Sequence, residues 1–195
     1  MRVLVTGASA GIGGAICKRL ARNAKRDGKT LQIAASEYAQ TPDNDAIRNE
    51  LEDMGAKVIT PYADLSDPNG PTSLVETAAE EFGGLDAVVS NAGLVIPGLM
   101  KDLKVEDWDL VMNVNTRAGW LLGKAAYPYL KASKGAYLAI ASMSGLGPHP
   151  DLGAYSPSKA ACINVTAMMA IEWASDGIRC NSIAPGTVYS PSWQD

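Results

Sequence analysis

Short, β-branched apolar runs alternate along this chain with longer segments whose apolar positions recur every three or four residues. The first pattern fits strands buried on both faces, and the second fits helices that bury one stripe. Strands are predicted at "RVLVTG" (2–7), "LQIAAS" (31–36), "LDAVVSNAG" (85–93), "AYLAIAS" (136–142) and "IRCNSIAPG" (178–186). A further strand with its exit loop is predicted at "KVITPYADLSDP" (57–68). Helices are predicted over 12–26, 42–55, 71–83, about 105–130 and about 155–175. The helix over 42–55 carries acid in its first turn, and Gly55 reads as its stop. Strands and helices in regular alternation imply a parallel sheet covered on both sides. The expected fold class is α/β, a Rossmann-like doubly wound parallel sheet in three layers.

Two segments depart from an average domain of this kind. "RNAKRDGKT" (22–30) makes the first helix-to-strand connection long, polar and exposed. The helix from Tyr155 is apolar nearly all round after Lys159, so burial on two sides is expected, against the sheet and against a partner subunit. A homodimer or homotetramer follows.

Composition narrows the class of function. Among the 195 residues, 47% are apolar and 19% charged, with a net charge of −4 and scattered Lys and Arg. No basic stripe suggests nucleic acid. Three widely spaced cysteines, Cys17, Cys162 and Cys180, read as reduced thiols in the cytoplasm, and no Cys/His spacing suggests a metal. The first strand begins at Arg2, which leaves no room for a signal peptide, and no apolar run is long enough to span a membrane. With no repeat or linker, residues 1–195 are expected to form one domain.

"TGASAGIG" (6–13) lies where the first strand turns into the first helix. Gly7 suits a tight turn, Gly11 lets the backbone approach a pyrophosphate, and Gly13 permits close packing of helix on strand. The helix N-terminus then faces a diphosphate. A glycine-rich turn without a ligand would look the same, and Rossmann-like folds that bind other adenosine ligands share it. "YSPSK" (155–159) places a phenol and an ammonium one helical turn apart, with Pro157 in the first turn, where its missing N–H costs nothing. Alone, the pair could equally be two surface residues.

The spacing T-G-x-x-x-G-x-G, "ADL" (63–65), "SNAG" (90–93), "VMNVNTRAG" (111–119), "IASMSG" (140–145), "YSPSK" and "NSIAPGTV" (181–188) occur in this order. Together they resemble the short-chain dehydrogenase/reductase family in its compact branch. The resemblance implies an NAD(P)-dependent oxidoreductase that moves a hydride between nicotinamide and a carbonyl or secondary alcohol. It implies a catalytic tetrad of Asn115, Ser142, Tyr155 and Lys159. Tyr155 would be general acid or base. A phenol with a reference pKa near 10 needs a neighbouring cation to act at neutral pH, and Lys159 would supply it while holding the nicotinamide ribose. Ser142 would polarise the substrate oxygen, and Asn115 would hold a water in a relay to the lysine.

The same resemblance assigns cofactor contacts to Gly7, Ser9, Gly11, Ile12 and Gly13. It places Asp64 and Leu65 at the adenine, Asn91, Ala92 and Gly93 along the adenosine, and Pro185, Gly186 and Val188 against the nicotinamide. An N-cap-like loop acid is an equal reading of Asp64. Ser90 and Ser190 depart from the commoner Asn and Thr. Glu37, with no base at Ala10 or Ser36, favours NAD(H) over NADP(H), although Arg22, Lys25 and Arg26 lie in a nearby loop. "LVIPGLM" (94–100), Met143, Leu146 and Leu152 suggest an apolar small-molecule substrate, with His149 at the rim. The family continues past this point with a substrate-covering segment, which the 195 residues do not include. A catalytically silent nucleotide-binding or scaffold protein is the alternative.

Overall fold

The computed structural model describes residues 1–189. Six strands, β1 (Arg2–Thr6), β2 (Gln32–Ser36), β3 (Lys57–Ile59), β4 (Ala87–Ser90), β5 (Ala136–Ile140) and β6 (Arg179–Ile183), form one parallel sheet in the order β3-β2-β1-β4-β5-β6. The helices are α1 (Gly11–Arg26), α2 (Pro42–Asp53), α3 (Gly70–Phe82), α4 (Val105–Met112), α5 (Ala118–Ser133) and α6 (Tyr155–Trp173). This is the Rossmann-like α/β/α architecture.

Alternation along each strand decides which helices cover which face. Val3, Val5, Ile33 and Ala35 pack with Cys17 and Ala21 of α1 and with Ile47 and Leu51 of α2. Leu4, Ala34, Val88, Tyr137 and Ala139 face the other way, onto α3, α5 and α6. Both faces are apolar, so the strands read as continuous hydrophobic runs.

Local signals set the helix ends. Thr41 and Asn44 form a capping box at the start of α2, with Pro42 in its first turn. Gly83 ends α3 in the left-handed conformation.

One expectation needs correction. The single helix over about 105–130 is two helices joined by a π-turn at Asn113–Arg117, where the Ala118 N–H donates to the Asn113 carbonyl. The extra residue per turn rotates the side chains of 113–117 out of helical phase, and apolar spacing does not report it. α6 is buried on its sheet side, whereas Met168 and Ile171, the latter 75% exposed, form an outer face that no described residue covers. No helix among the described residues is long and apolar enough to cross a membrane.

Packing makes a direct prediction. Leu122 of α5 is fully buried at 0% exposure, so Leu122→Ala should cost about 2–5 kcal/mol in urea unfolding. Ile171→Ala on the outer face should stay within about 0.5 kcal/mol for the isolated chain.

Candidate active site

The strand order reverses between β1 and β4, and at that point the two strand ends diverge and leave a crevice. Thr6 ends β1 there. Its hydroxyl accepts from the N–H groups of Asn91 and Ala92, both at 3.0 Å. The Asn91 amide donates back to the carbonyls of Thr6 and Gly7 at 2.9 Å. Asn91 therefore stitches β4 to the glycine-rich turn, with Ala92 held beside it.

Three positions of that turn, Gly7, Gly11 and Gly13, are closed to ordinary side chains. Gly7 and Gly11 have φ of +63° and +54°. A Cβ on Gly13 would lie 2.0 Å from the Gly7 carbonyl oxygen and 2.6 Å from Asn91 Nδ2. α1 thus begins in contact with the end of β1, with its free N–H groups turned to the crevice. Beyond β2, Glu37 Oε1 accepts from the Ser9 N–H at 2.7 Å, which fixes the carboxylate at the rim of the turn. Gly11 and Ile12 line an open groove of about 500 Å³ along α1, with Val188 also in its lining.

On the β3 side, Asp64 is exposed and its Oδ1 accepts from the Ser66 N–H at 2.7 Å, with Leu65 buried beneath. The carboxylate therefore organises its own loop and keeps a second oxygen facing out.

The four residues of the expected tetrad come from three segments. Asn115, 4% exposed, lies in the π-turn. Its Oδ1 accepts from the Leu94 N–H at 2.9 Å, and its Nδ2 donates to the Leu94 carbonyl at 2.9 Å and to Ser158 Oγ at 3.0 Å. Ser158 Oγ donates to the Tyr155 carbonyl at 2.7 Å. Asn115 thus ties the loop after β4 to the first turn of α6. Ser142 follows β5, and its Oγ accepts from the Ser144 N–H at 3.1 Å, which leaves the hydroxyl proton free to donate. Tyr155 opens α6. Lys159, also 4% exposed, sits one turn on with Nζ 5.7 Å from the Tyr155 ring centroid.

Lys159 Nζ donates to the Ile140 carbonyl at 2.9 Å, and an ammonium keeps further donor positions beyond that bond. Burial pushes its pKa below the ordinary value, with the nearby Cys162 thiol acting weakly the other way. A Cβ on Gly93 would stand 3.0 Å from Asn115 Oδ1 and 3.2 Å from Lys159 Nζ. Gly93 therefore lies against the lysine and asparagine, whereas the resemblance put it beside the adenosine. The backbone at Gly145 lies on Lys159, since a Cβ there would meet the Lys159 carbonyl carbon at 2.7 Å. Met143 N–H donates to the Pro185 carbonyl at 2.9 Å, and Gly186 packs near Met143 Sδ, so the 185–186 segment borders Ser142. Ser190 lies outside the described residues.

The family described as short chain dehydrogenase matches residues 1–195. The chain belongs to this family. Over 192 residues it is 32% identical to a glucose 1-dehydrogenase 2 of Bacillus subtilis, covering 97% of this chain and 72% of that protein. It is also 32% identical to a 2-(R)-hydroxypropyl-CoM dehydrogenase of Xanthobacter autotrophicus, covering 98% and 76%. The solved acetoin dehydrogenase of Salmonella typhimurium superposes with a TM-score of 0.88 at 26% identity, covering 97% of this chain and 73% of that one. This short-chain dehydrogenase is accordingly an NAD(P)-dependent oxidoreductase of the alcohol/carbonyl class.

The residues present fit a dinucleotide. The glycines at 7, 11 and 13 would let the backbone of the turn approach a diphosphate, and the buried lysine retains unused donors. Thr6, Ser158 and the Ile140 carbonyl were not legible as site groups. Their partners lie up to 86 residues away in sequence, as for Thr6 and Ala92. Only the Thr in "TG" offered a signal.

Two predictions follow from this geometry. Gly13→Ala should abolish NADH binding in a fluorescence titration, because a backbone carbonyl occupies the new methyl's position. Because burial lowers the folded-state pKa of Lys159, its protonated form costs folding free energy at neutral pH, and that cost fades as pH rises through the folded pKa. Lys159→Met should therefore be more stable relative to the parent chain at pH 7 than at pH 10, as read by urea unfolding.

Proposed function

We propose that this enzyme interconverts a neutral, apolar carbonyl compound and its secondary alcohol, with NAD(H) as the preferred cofactor. The observation that carries this reading is the buried Lys159 ammonium beside the Tyr155 ring at the mouth of the crevice. Tyr155 donates a proton to the carbonyl oxygen in reduction and removes it in oxidation. Lys159 favours negative charge on the phenolic oxygen during that transfer and holds the ribose hydroxyls. Ser142 donates its free hydroxyl proton to the substrate oxygen and polarises it. Asn115 fixes the geometry of the α6 entrance and, with a water, completes a relay to Lys159. The bound nicotinamide supplies or accepts the hydride.

For the cofactor, Gly7, Ser9, Gly11, Ile12 and Gly13 receive the diphosphate side. Asp64 and Leu65 receive the adenine, with Asn91 and Ala92 behind the ribose. Gly93, Pro185, Gly186 and Val188 border the nicotinamide. Glu37 gives the NAD(H) preference, because its carboxylate, anchored on the Ser9 N–H, would accept from a ribose 2′-hydroxyl and repel a 2′-phosphate. Around the site, Val95, Leu99, Met100, Met143 and Leu146 expose apolar surface, which supports an apolar substrate. The outer face of α6 with Met168 and Ile171, together with Trp120 of α5, supports a homodimer or homotetramer.

Tyr155→Phe should lower turnover by about 100- to 10,000-fold while NADH affinity stays within about twofold. Undiminished turnover would overturn the assignment of Tyr155. Glu37→Gln retains an acceptor for the Ser9 N–H and removes the charge. It should improve NADPH affinity relative to NADH by about tenfold in paired fluorescence titrations.

A further inference from the structure

Three consecutive residues of the π-turn hold three different segments of the chain. Asn115 holds Leu94 and Ser158, as described above. Thr116 Oγ1 donates to the Ser158 carbonyl at 2.9 Å. Arg117 points the opposite way, and its Nη2 donates to the Ser66 carbonyl. Ser66 is the residue whose N–H is accepted by Asp64 Oδ1 at 2.7 Å. One five-residue turn therefore joins the Tyr155 entrance to the loop that carries Asp64.

The Asp64 loop is bonded to itself along its length. Asp67 N–H donates to the Asp64 carbonyl at 3.3 Å, and Gly70 N–H to the Asp67 carbonyl at 3.1 Å. Asp67 Oδ1 also accepts from the Asn69 N–H at 2.9 Å. A Cβ on Gly70 would lie 2.0 Å from the Asp64 carbonyl oxygen, so the loop closes on its own backbone. The Ser66 carbonyl is the tie between this closed loop and Arg117.

Arg117 is a costly way to fasten a loop. Its side chain is half-buried, and its Nε is buried with no hydrogen-bond partner among the described residues. A half-buried cation that leaves one buried N–H unpaired contributes little net stability where an apolar side chain could pack. What the guanidinium adds is a directed bond between the π-turn and the Asp64 loop.

We infer that Arg117 is a positioning residue that couples occupancy of the adenosine end of the cofactor site to the geometry of the Asn115 turn. Adenosine bound at Asp64 fixes the 64–70 loop. Ser66 then fixes Arg117, and the turn presents Asn115 to Leu94 and Ser158 in the arrangement that holds the α6 entrance. Binding energy from the remote half of the cofactor is in this way used at the reacting half. The inference rests on the proposed placement of adenine at Asp64 and of nicotinamide near Lys159.

The test divides the cofactor in two. The affinity of reduced nicotinamide mononucleotide is measured by its fluorescence, with and without saturating AMP, in the full chain. In the parent chain AMP should tighten the mononucleotide by about fivefold or more. In Arg117→Met each fragment should still bind alone, while the AMP effect falls to less than about twofold. Arg117→Lys, which keeps a donor for the Ser66 carbonyl, should restore part of the effect. If the Met variant does not fold, Arg117→Gln and Arg117→Lys give the comparison, with the effect smaller than in the parent in both. A purely structural arginine would lower melting temperature and leave the AMP effect intact, and that result would overturn the inference. So would NADH binding to the parent chain with no AMP effect. Failure of the parent chain to bind NADH at all would instead overturn the cofactor reading beneath it.

Discussion

A buried ammonium, Lys159 Nζ on the Ile140 carbonyl, is the constraint around which this enzyme's site is arranged. A cation taken out of water needs partners, and burial already pushes its pKa down. Gly93 has no side chain where the ammonium lies, Gly145 packs on the lysine's backbone, and Asn115 stands close by with its amide committed to Leu94 and Ser158. The same lysine covers the Tyr155 ring at one helical turn. Stability and chemistry meet at this position. Groups with perturbed protonation often cluster at functional sites, and in the proposed mechanism this poorly solvated charge at the end of β5 serves proton transfer.

Around this node the sheet order does the large-scale positioning. β1 and β4 are neighbours whose outgoing connections run in opposite directions, so their ends open a crevice between the glycine-rich turn and "SNAG". Thr6 and Asn91 close the gap in the backbone that this divergence would leave, with four hydrogen bonds between 2.9 and 3.0 Å. α1 can reach the crevice only because Gly13 allows a contact that a methyl would forbid. The carboxylate of Glu37 then marks one end of the crevice and Lys159 the other.

Much of this was legible in the sequence. Strands buried on both faces are continuous apolar runs, so β1, β2, β4 and β5 lie where the hydrophobic pattern puts them, and Gly55 and Pro42 mark the ends of α2 as their backbone preferences require. The candidate site residues were found through ordered motifs rather than through pattern. Three things were not legible. The π-turn is hidden because Val105–Ser133 keeps an apolar face through it. The tie between Asn115 and Ser158 spans 43 residues, and the tie between Arg117 and Ser66 spans 51, distances at which local spacing carries no information. The uncovered outer face of α6 is visible in sequence only as excess apolarity, which does not say what covers it.

The most direct measurement is isotope transfer. The full chain would be incubated with NADH deuterated at the nicotinamide C4 position and a panel of neutral, apolar ketones, and the products analysed by mass spectrometry. The account predicts an alcohol that carries deuterium on its carbinol carbon. A chain that binds NADH, yet transfers deuterium to no carbonyl compound, would contradict the central claim that this arrangement of Ser142, Tyr155 and Lys159 performs hydride chemistry.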